Sequence, residues 1–203
     1  KLRVFINFDG VDSFFYLWIN GKYVGFSKNS RSLAQFDITK YLVKGANRVA
    51  VEVYRCSDGS FLETQDMFRM AGIIRSVYLT ATPEIHVGDV VAIPDLDSHY
   101  INGALNVKLS VSNQSAKDAK RYSMHCSLYP VELYGDGTSD APVAKAAVEV
   151  GDITKQGKAQ CEMQLTVPNV KPWSAEAPWR YVLVGELKDK KGRTVETFST
   201  YTG

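Results

Sequence analysis

SFFYLWINGKYVGFS, residues 13–27, reads as two strands and the turn between them. SFFYLWI (13–19) is dense in aromatic and β-branched side chains, which fit a pleated surface. Asn20-Gly21 follows, and this pair favours a tight hairpin because a type I′ turn needs φ > 0 at both central positions. KYVGFS (22–27) is then the returning strand.

The same pattern extends outward on both sides. RVFINF (3–8) is a further strand. In AQFDITKYLVKGANRVAVEVYR (34–55), Asp37 caps a short helical turn over 38–42, and Lys44-Gly45 leads into a strand at 47–55. SDGS (57–60) reads as a turn and IIRSVYLTAT (73–82) as a strand. Between them lies ETQDMFRMAG (63–72), unusually apolar and yet charged for a connection between strands.

The rest of the chain differs in composition. Residues 1–82 hold 14 of the 23 aromatics and no proline, whereas all seven prolines lie from Pro83 onward. That shift divides the chain at 1–83 and 84–203. The second part contains seven strand candidates: 84–93, 103–113, 120–130, 142–150, 159–168, 180–189 and 194–202. Alternation is clear in Leu105, Val107, Leu109 and Val111, and again in Met124, Cys126 and Leu128. Seven strands with turns between them are the mark of an immunoglobulin-like sandwich, here without the Cys–Trp–Cys spacing of antibody domains.

Composition narrows the function classes. A net charge of +2 with no basic run gives no footprint for nucleic acid. No apolar stretch approaches the ~20 residues that span a bilayer, and no signal-peptide pattern opens the chain. Cys56, Cys126 and Cys161 are widely spaced, so neither a disulfide framework nor a zinc site is expected, and all three read as buried free thiols. His86, His99 and His125 are scattered over separate segments. No GxSxG elbow, HExxH motif, phosphate loop or EF-hand pattern occurs. Asp9 with Asp12, or Glu63 with Asp66, could form a carboxylate pair for glycoside hydrolysis, which needs separations of about 5 Å or about 6.5–9.5 Å. Both pairs read more simply as turn-forming or structural. No catalytic residue is assigned.

Residues 8–79 resemble the sugar-binding jelly-roll domain of family 2 glycoside hydrolases, and within that family the large bacterial β-galactosidases. The likeness is carried by GVDS (10–13), LWINGKYVG (17–25), FDIT (36–39), NRVAVEV (47–53) and QDMFRMAGIIRSV (65–77). KPWSAEAPWRYVLVGEL (171–187) is similar to the segment closing the family's first immunoglobulin-like domain, and the likeness is weak over residues 85–165. The resemblance implies an all-β chain: a truncated jelly-roll, galactose-binding-like β-sandwich followed by an immunoglobulin-like one. It also implies that the catalytic TIM barrel of the parent, with its two glutamates, and the first strands of the jelly roll lie outside this chain. This fragment would then be inactive by itself, and cut sheet edges would favour its association.

The resemblance places residues 63–72 at the mouth of the barrel's active site. Asp66 is thereby expected to contact galactose and to ligate a cation, sodium or magnesium, in the parent enzyme. A carboxylate can accept hydrogen bonds from sugar hydroxyls while neutralising a hard cation. Met67, Phe68 and Met70 are expected to seat the loop by apolar packing, and Glu63 and Arg69 to support it. Thr64 stands where relatives often carry an acid, and Met67-Phe68 where many have Met-Trp. Trp18, Trp173 and Trp179 could be sugar platforms, although a tryptophan in an LWI strand reads first as core. The implied partners are a β-galactoside, the barrel of the same polypeptide and further copies of the parent, in a bacterial cytoplasm or periplasm. No cofactor is expected in the fragment itself. A free-standing carbohydrate-binding module and a purely structural pair of sandwiches are the competing readings.

Overall fold

A computed structural model of the chain describes every residue except Lys1, Glu63, Thr64, Gln65, Met67 and Arg69. The chain forms two compact units, Lys1–Thr82 and Pro83–Gly203.

In the first unit the described residues form β1 (Leu2–Phe8), β2 (Val11–Asp12), β3 (Phe14–Ile19), β4 (Lys22–Ser27), β5 (Ala34–Asp37), β6 (Val49–Tyr54), β7 (Gly72–Ile73) and β8 (Val77–Pro83). They are arranged as β5-β1-β8, β4-β3-β6 and the short pair β2-β7. The β3–β4 hairpin turns at Asn20 and Gly21, with φ of 53° and 76°, the left-handed pair that a type I′ turn requires. Asn20 also ties that turn to its neighbours, accepting the N–H of Arg48 at 2.9 Å and donating to the Tyr41 carbonyl at 3.0 Å.

After β5 a single 3₁₀ turn runs over Thr39–Tyr41. The Asp37 carboxylate accepts the Thr39 N–H at 2.9 Å and pairs with the Arg3 guanidinium. Burial pushes the Asp37 carboxyl up, but Thr39 and Arg3 together hold it below its usual value. SDGS, expected as a turn, instead leads into a short helix α1 (Asp58–Leu62). The helix is started by Ser60, whose hydroxyl accepts the Ser57 N–H at 3.0 Å.

Strand β3 alternates strictly. Phe15, Leu17 and Ile19 are buried in the core with Ile6, Phe8, Val11 and Ile38. Full burial of each large apolar side chain stabilises by about 1.5–3 kcal/mol. Phe14, Tyr16 and Trp18 lie half-buried on the opposite face. Trp18 is therefore not a core residue, a correction to the expectation from its LWI setting. The period of two places it with Phe14 and Tyr16, away from Leu17.

The second unit contains β9 (Ile85–Leu96), β10 (Gly103–Asn113), β11 (Tyr122–Pro130), β12 (Ala144–Val150), β13 (Lys158–Val167), β14 (Tyr181–Lys188) and β15 (Thr194–Thr202). Two antiparallel sheets, β13-β10-β9 and β12-β11-β14-β15, face each other across one core. β12 approaches β13 along one side and β15 approaches β9 along the other. Leu105, Val107, Leu109 and Val111 supply one wall of this core, and Met124, Cys126 and Leu128 the other, so both alternating runs face inward. β9 continues past Pro94 to Leu96, beyond the expected end at 93. Proline, which has no N–H to donate, is tolerated there because β9 is an edge strand.

Asn113, only 1% exposed, closes one end of this sandwich. Its amide donates to the carbonyls of Lys117 and Ile153 at 2.8 and 3.1 Å, while its Oδ1 accepts the Ser115 N–H at 2.9 Å. Cys126 and Cys161 are buried free thiols, and burial pushes the Cys126 thiol up to about 11. Cys56 differs from expectation. It is exposed, because it lies beyond the end of β6 in the corner before α1.

Candidate functional site

The loop carrying Asp66 leaves α1 and returns to β7, and it is held by polar contacts at both ends. On the near side, the Ser13 hydroxyl lies between those of Ser57 and Ser60, at 2.8 and 2.9 Å. Ser13 is buried, so these bonds form where water does not compete. Its carbonyl accepts the Ser30 hydroxyl at 3.1 Å, joining the α1 corner to the stretch after β4. Lys28 pairs with Asp58 at 2.8 Å and holds that carboxyl below its usual value. On the far side, Gly72 and Ile73 pair with Asp12 and Val11. The Ile74 N–H donates to the Gly10 carbonyl at 3.1 Å.

Arg31 clamps the middle. Its Nη2 donates to the Phe68 carbonyl at 3.1 Å, and its own carbonyl accepts Nη1 of Arg75 at 3.1 Å. The loop is thus fastened through its backbone and through serines and arginines. The clamp is not legible in the sequence, because Arg31 lies outside every motif and is 37 residues from Phe68 and 44 from Arg75.

Asp66 is exposed on this framed loop. Phe68 and Met70 are 90% and 67% exposed, as are Phe61 and Leu62 at 77% and 84%. Phe68 and Met70, expected to seat the loop by apolar packing, are thus not packed into the core of the first unit. Glu63, Met67 and Arg69, the other expected loop residues, lie outside the described residues.

The candidate carboxylate pairs fare differently. Asp9 hydrogen-bonds Tyr78, whose phenol is raised first by burial and then by that carboxylate, so Asp9 is engaged structurally. His86 is buried, with Nδ1 3.1 Å from the Pro83 carbonyl, and His125 contacts the Ser123 hydroxyl at 3.1 Å. Among the described residues no group of three or more His, Cys, Asp or Glu side chains could hold a metal ion. Asp66 fits a cation as the donor of one or two carboxylate oxygens, and the remaining oxygens a hard cation demands are not gathered around it by the described residues.

Two family models match the chain. That for the sugar-binding domain of family 2 glycosyl hydrolases covers residues 1–83, and that for the following domain of the same family covers residues 85–203. The chain belongs to glycoside hydrolase family 2. It is 38% identical to a β-galactosidase of Priestia megaterium over 200 residues, which are 98% of this chain and 19% of that protein. A β-galactosidase of Pectobacterium atrosepticum is 40% identical over 189 residues, 93% of this chain and 18% of that protein. A family 2 β-glucuronidase shares the fold with a TM-score of 0.81 at 21% identity, covering all of this chain and 22% of that one. The chain therefore spans about a fifth of the length of its relatives and corresponds to their non-catalytic N-terminal domains, without the catalytic barrel. Among the described residues no helix is long and apolar enough to cross a membrane.

Proposed function

We propose that this chain is the non-catalytic N-terminal portion of a retaining β-galactosidase, and that it supplies Asp66 to the parent's substrate site. The reading is supported by one combination: high identity to β-galactosidases along nearly the whole chain, and a carboxylate exposed on a loop fastened at both ends and in the middle.

The Asp66 carboxylate would accept hydrogen bonds from galactosyl hydroxyls and offer an oxygen to a sodium or magnesium ion shared with residues outside this chain. Phe61, Leu62, Phe68 and Met70 would then bury their apolar surface against the catalytic barrel of the same polypeptide. The acid/base and nucleophile carboxylates of a retaining mechanism would lie on that barrel. Further copies of the parent would be partners as well.

The test is Asp66→Asn in the full-length parent. The expected result is a fall of at least tenfold in kcat/KM, about 1.4 kcal/mol of transition-state stabilisation, with weakened activation by sodium. Unchanged kcat/KM and cation response would overturn the role of Asp66. The match of residues 1–83 to a sugar-binding domain favours one second reading, a free-standing carbohydrate-binding module. That reading requires a natural product near 22.6 kDa, and a much heavier immunoblot band that co-fractionates with galactosidase activity would dismiss it.

A further inference from the structure

The outer face of the β4-β3-β6 sheet is almost entirely aromatic. Phe14, Tyr16 and Trp18 project from β3, and the register places Phe26 beside Tyr16, Tyr23 beside Trp18 and Tyr54 beside Phe14. Neighbouring rings lie 4.7 to 6.2 Å apart between centroids, so the six form one continuous surface. Tyr23, Phe26 and Tyr54 are 49%, 52% and 41% exposed. At ~3.4 Å per residue the Phe14–Trp18 stripe runs roughly 14 Å, longer than one pyranose ring.

The polar groups on this face are as telling as the rings. β6 contributes Ala50 opposite Trp18 and Glu52 opposite Tyr16. Ala50 leaves the flank of the indole open. Glu52 Oε1 accepts the Tyr54 hydroxyl at 3.0 Å, and among the described residues the hydroxyls of Tyr16 and Tyr23 have no hydrogen-bond partner. No leucine, isoleucine, valine or methionine from these strands joins the six rings, as would suit a partner bearing aliphatic side chains. Rings edged by free phenols and one carboxylate match a ligand with a C–H face and a hydroxylated rim. Glu52 lies among the rings and disfavours an anionic ligand beside Tyr16 and Tyr54.

We propose that this aromatic face is a binding surface for a neutral oligosaccharide, with Trp18, Tyr23 and Phe26 stacking on pyranose faces and Glu52 accepting from sugar hydroxyls. The proposal rests on the assignment of residues 1–83 to a sugar-binding domain and is independent of Asp66.

The experiment is affinity electrophoresis of the 203-residue chain in gels containing soluble β-1,4-galactan, xylan or hydroxyethylcellulose. Tyr23→Ala, Phe26→Ser and Trp18→Ala would be run beside it, with circular dichroism confirming that each folds. The expected result is retardation on at least one polysaccharide, weakened at least tenfold in apparent affinity by Tyr23→Ala and by Phe26→Ser, and kept by Lys108→Ala at an exposed position of the second unit. The first two replacements are at exposed positions, so the test survives if Trp18→Ala fails to fold. Mobility unaffected by all three polysaccharides would overturn the proposal. So would retardation that persists in the face variants or disappears in Lys108→Ala. A dimer of the chain by light scattering that Tyr23→Ala dissolves would assign the face to protein contact and overturn it as well. The role of the loop is decided separately, by Asp66→Asn in the parent.

Discussion

The carboxylate of Glu196, on β15, accepts the backbone N–H of Val87, on β9, at 2.5 Å. β9 and β15 are edge strands of opposite sheets, so one side chain joins the two layers where backbone pairing cannot. The joint has a cost. Burial pushes the Glu196 carboxyl above its usual value, and the Val87 N–H offsets only part of that rise. A carboxylate in such a place satisfies an edge N–H while losing hydration.

Glu196→Gln should therefore stabilise the second unit at neutral pH, because the amide oxygen can still accept from Val87 without a buried charge. With the folded value raised above the unfolded one, the folded state binds more protons. The wild-type contribution is best below the usual carboxylate value and declines as pH rises through the raised value. Urea midpoints of wild type and variant should coincide in acid and separate toward neutrality, with the variant higher. A variant less stable at neutral pH would show that the charged hydrogen bond outweighs desolvation.

Gly185 sits directly opposite Phe198 in the β14–β15 register. A Cβ built there would lie 2.1 Å from the Phe198 ring, well inside contact distance. Gly185→Ala should force the ring out of its place against the core and destabilise by about 1–3 kcal/mol. The double variant Gly185→Ala, Phe198→Leu should recover part of that loss. Equal urea midpoints for wild type and Gly185→Ala would mean that the ring swings away freely.

The β14–β15 turn is organised by Asp189. Its Oδ2 accepts Nε and Nη2 of Arg193 at 2.9 and 2.6 Å, and its Oδ1 accepts the N–H groups of Lys191 and Arg193 at 2.8 and 3.1 Å. Arg193 is the main reason that the carboxyl falls from 3.8 to about 2. A depressed folded value contributes stability above the usual value and loses it as pH falls through about 2. Arg193→Ala should move the Asp189 midpoint, followed by carboxyl-carbon NMR, upward toward 3.8. A midpoint that stays near 2 would credit the backbone donors instead.

Much of this was legible in the chain. The Asn20-Gly21 turn, the inward runs of β10 and β11 and the family motifs are local signals, each resting on neighbouring residues. The misplacement of Trp18 has a physical reason. Alternation tells which residues share a face, but in β3 both sets, Phe15-Leu17-Ile19 and Phe14-Tyr16-Trp18, are apolar, so the pattern does not say which set meets the core. Strands β2 and β7, two residues each, have no period to detect. Asp66 was singled out through its motif. Its mounting was not, since the hydroxyl trio of Ser13, Ser57 and Ser60 and the Arg31 clamp depend on contacts between distant segments. The exposure of Phe68 and Met70 was hidden for a related reason: apolar composition alone does not say whether a side chain meets the core of its own unit.

The fastening of the Asp66 loop divides its residues into two kinds of creditor. Ser13, Arg31, Ser57 and Ser60 answer to the fold they are part of, and a substitution there removes a hydrogen bond within the first unit. Phe61, Leu62, Phe68 and Met70 owe nothing to the packing of this chain, so their replacement leaves its core as it is. Selection can then retune the tip of the loop for a new neighbour without renegotiating its foundations.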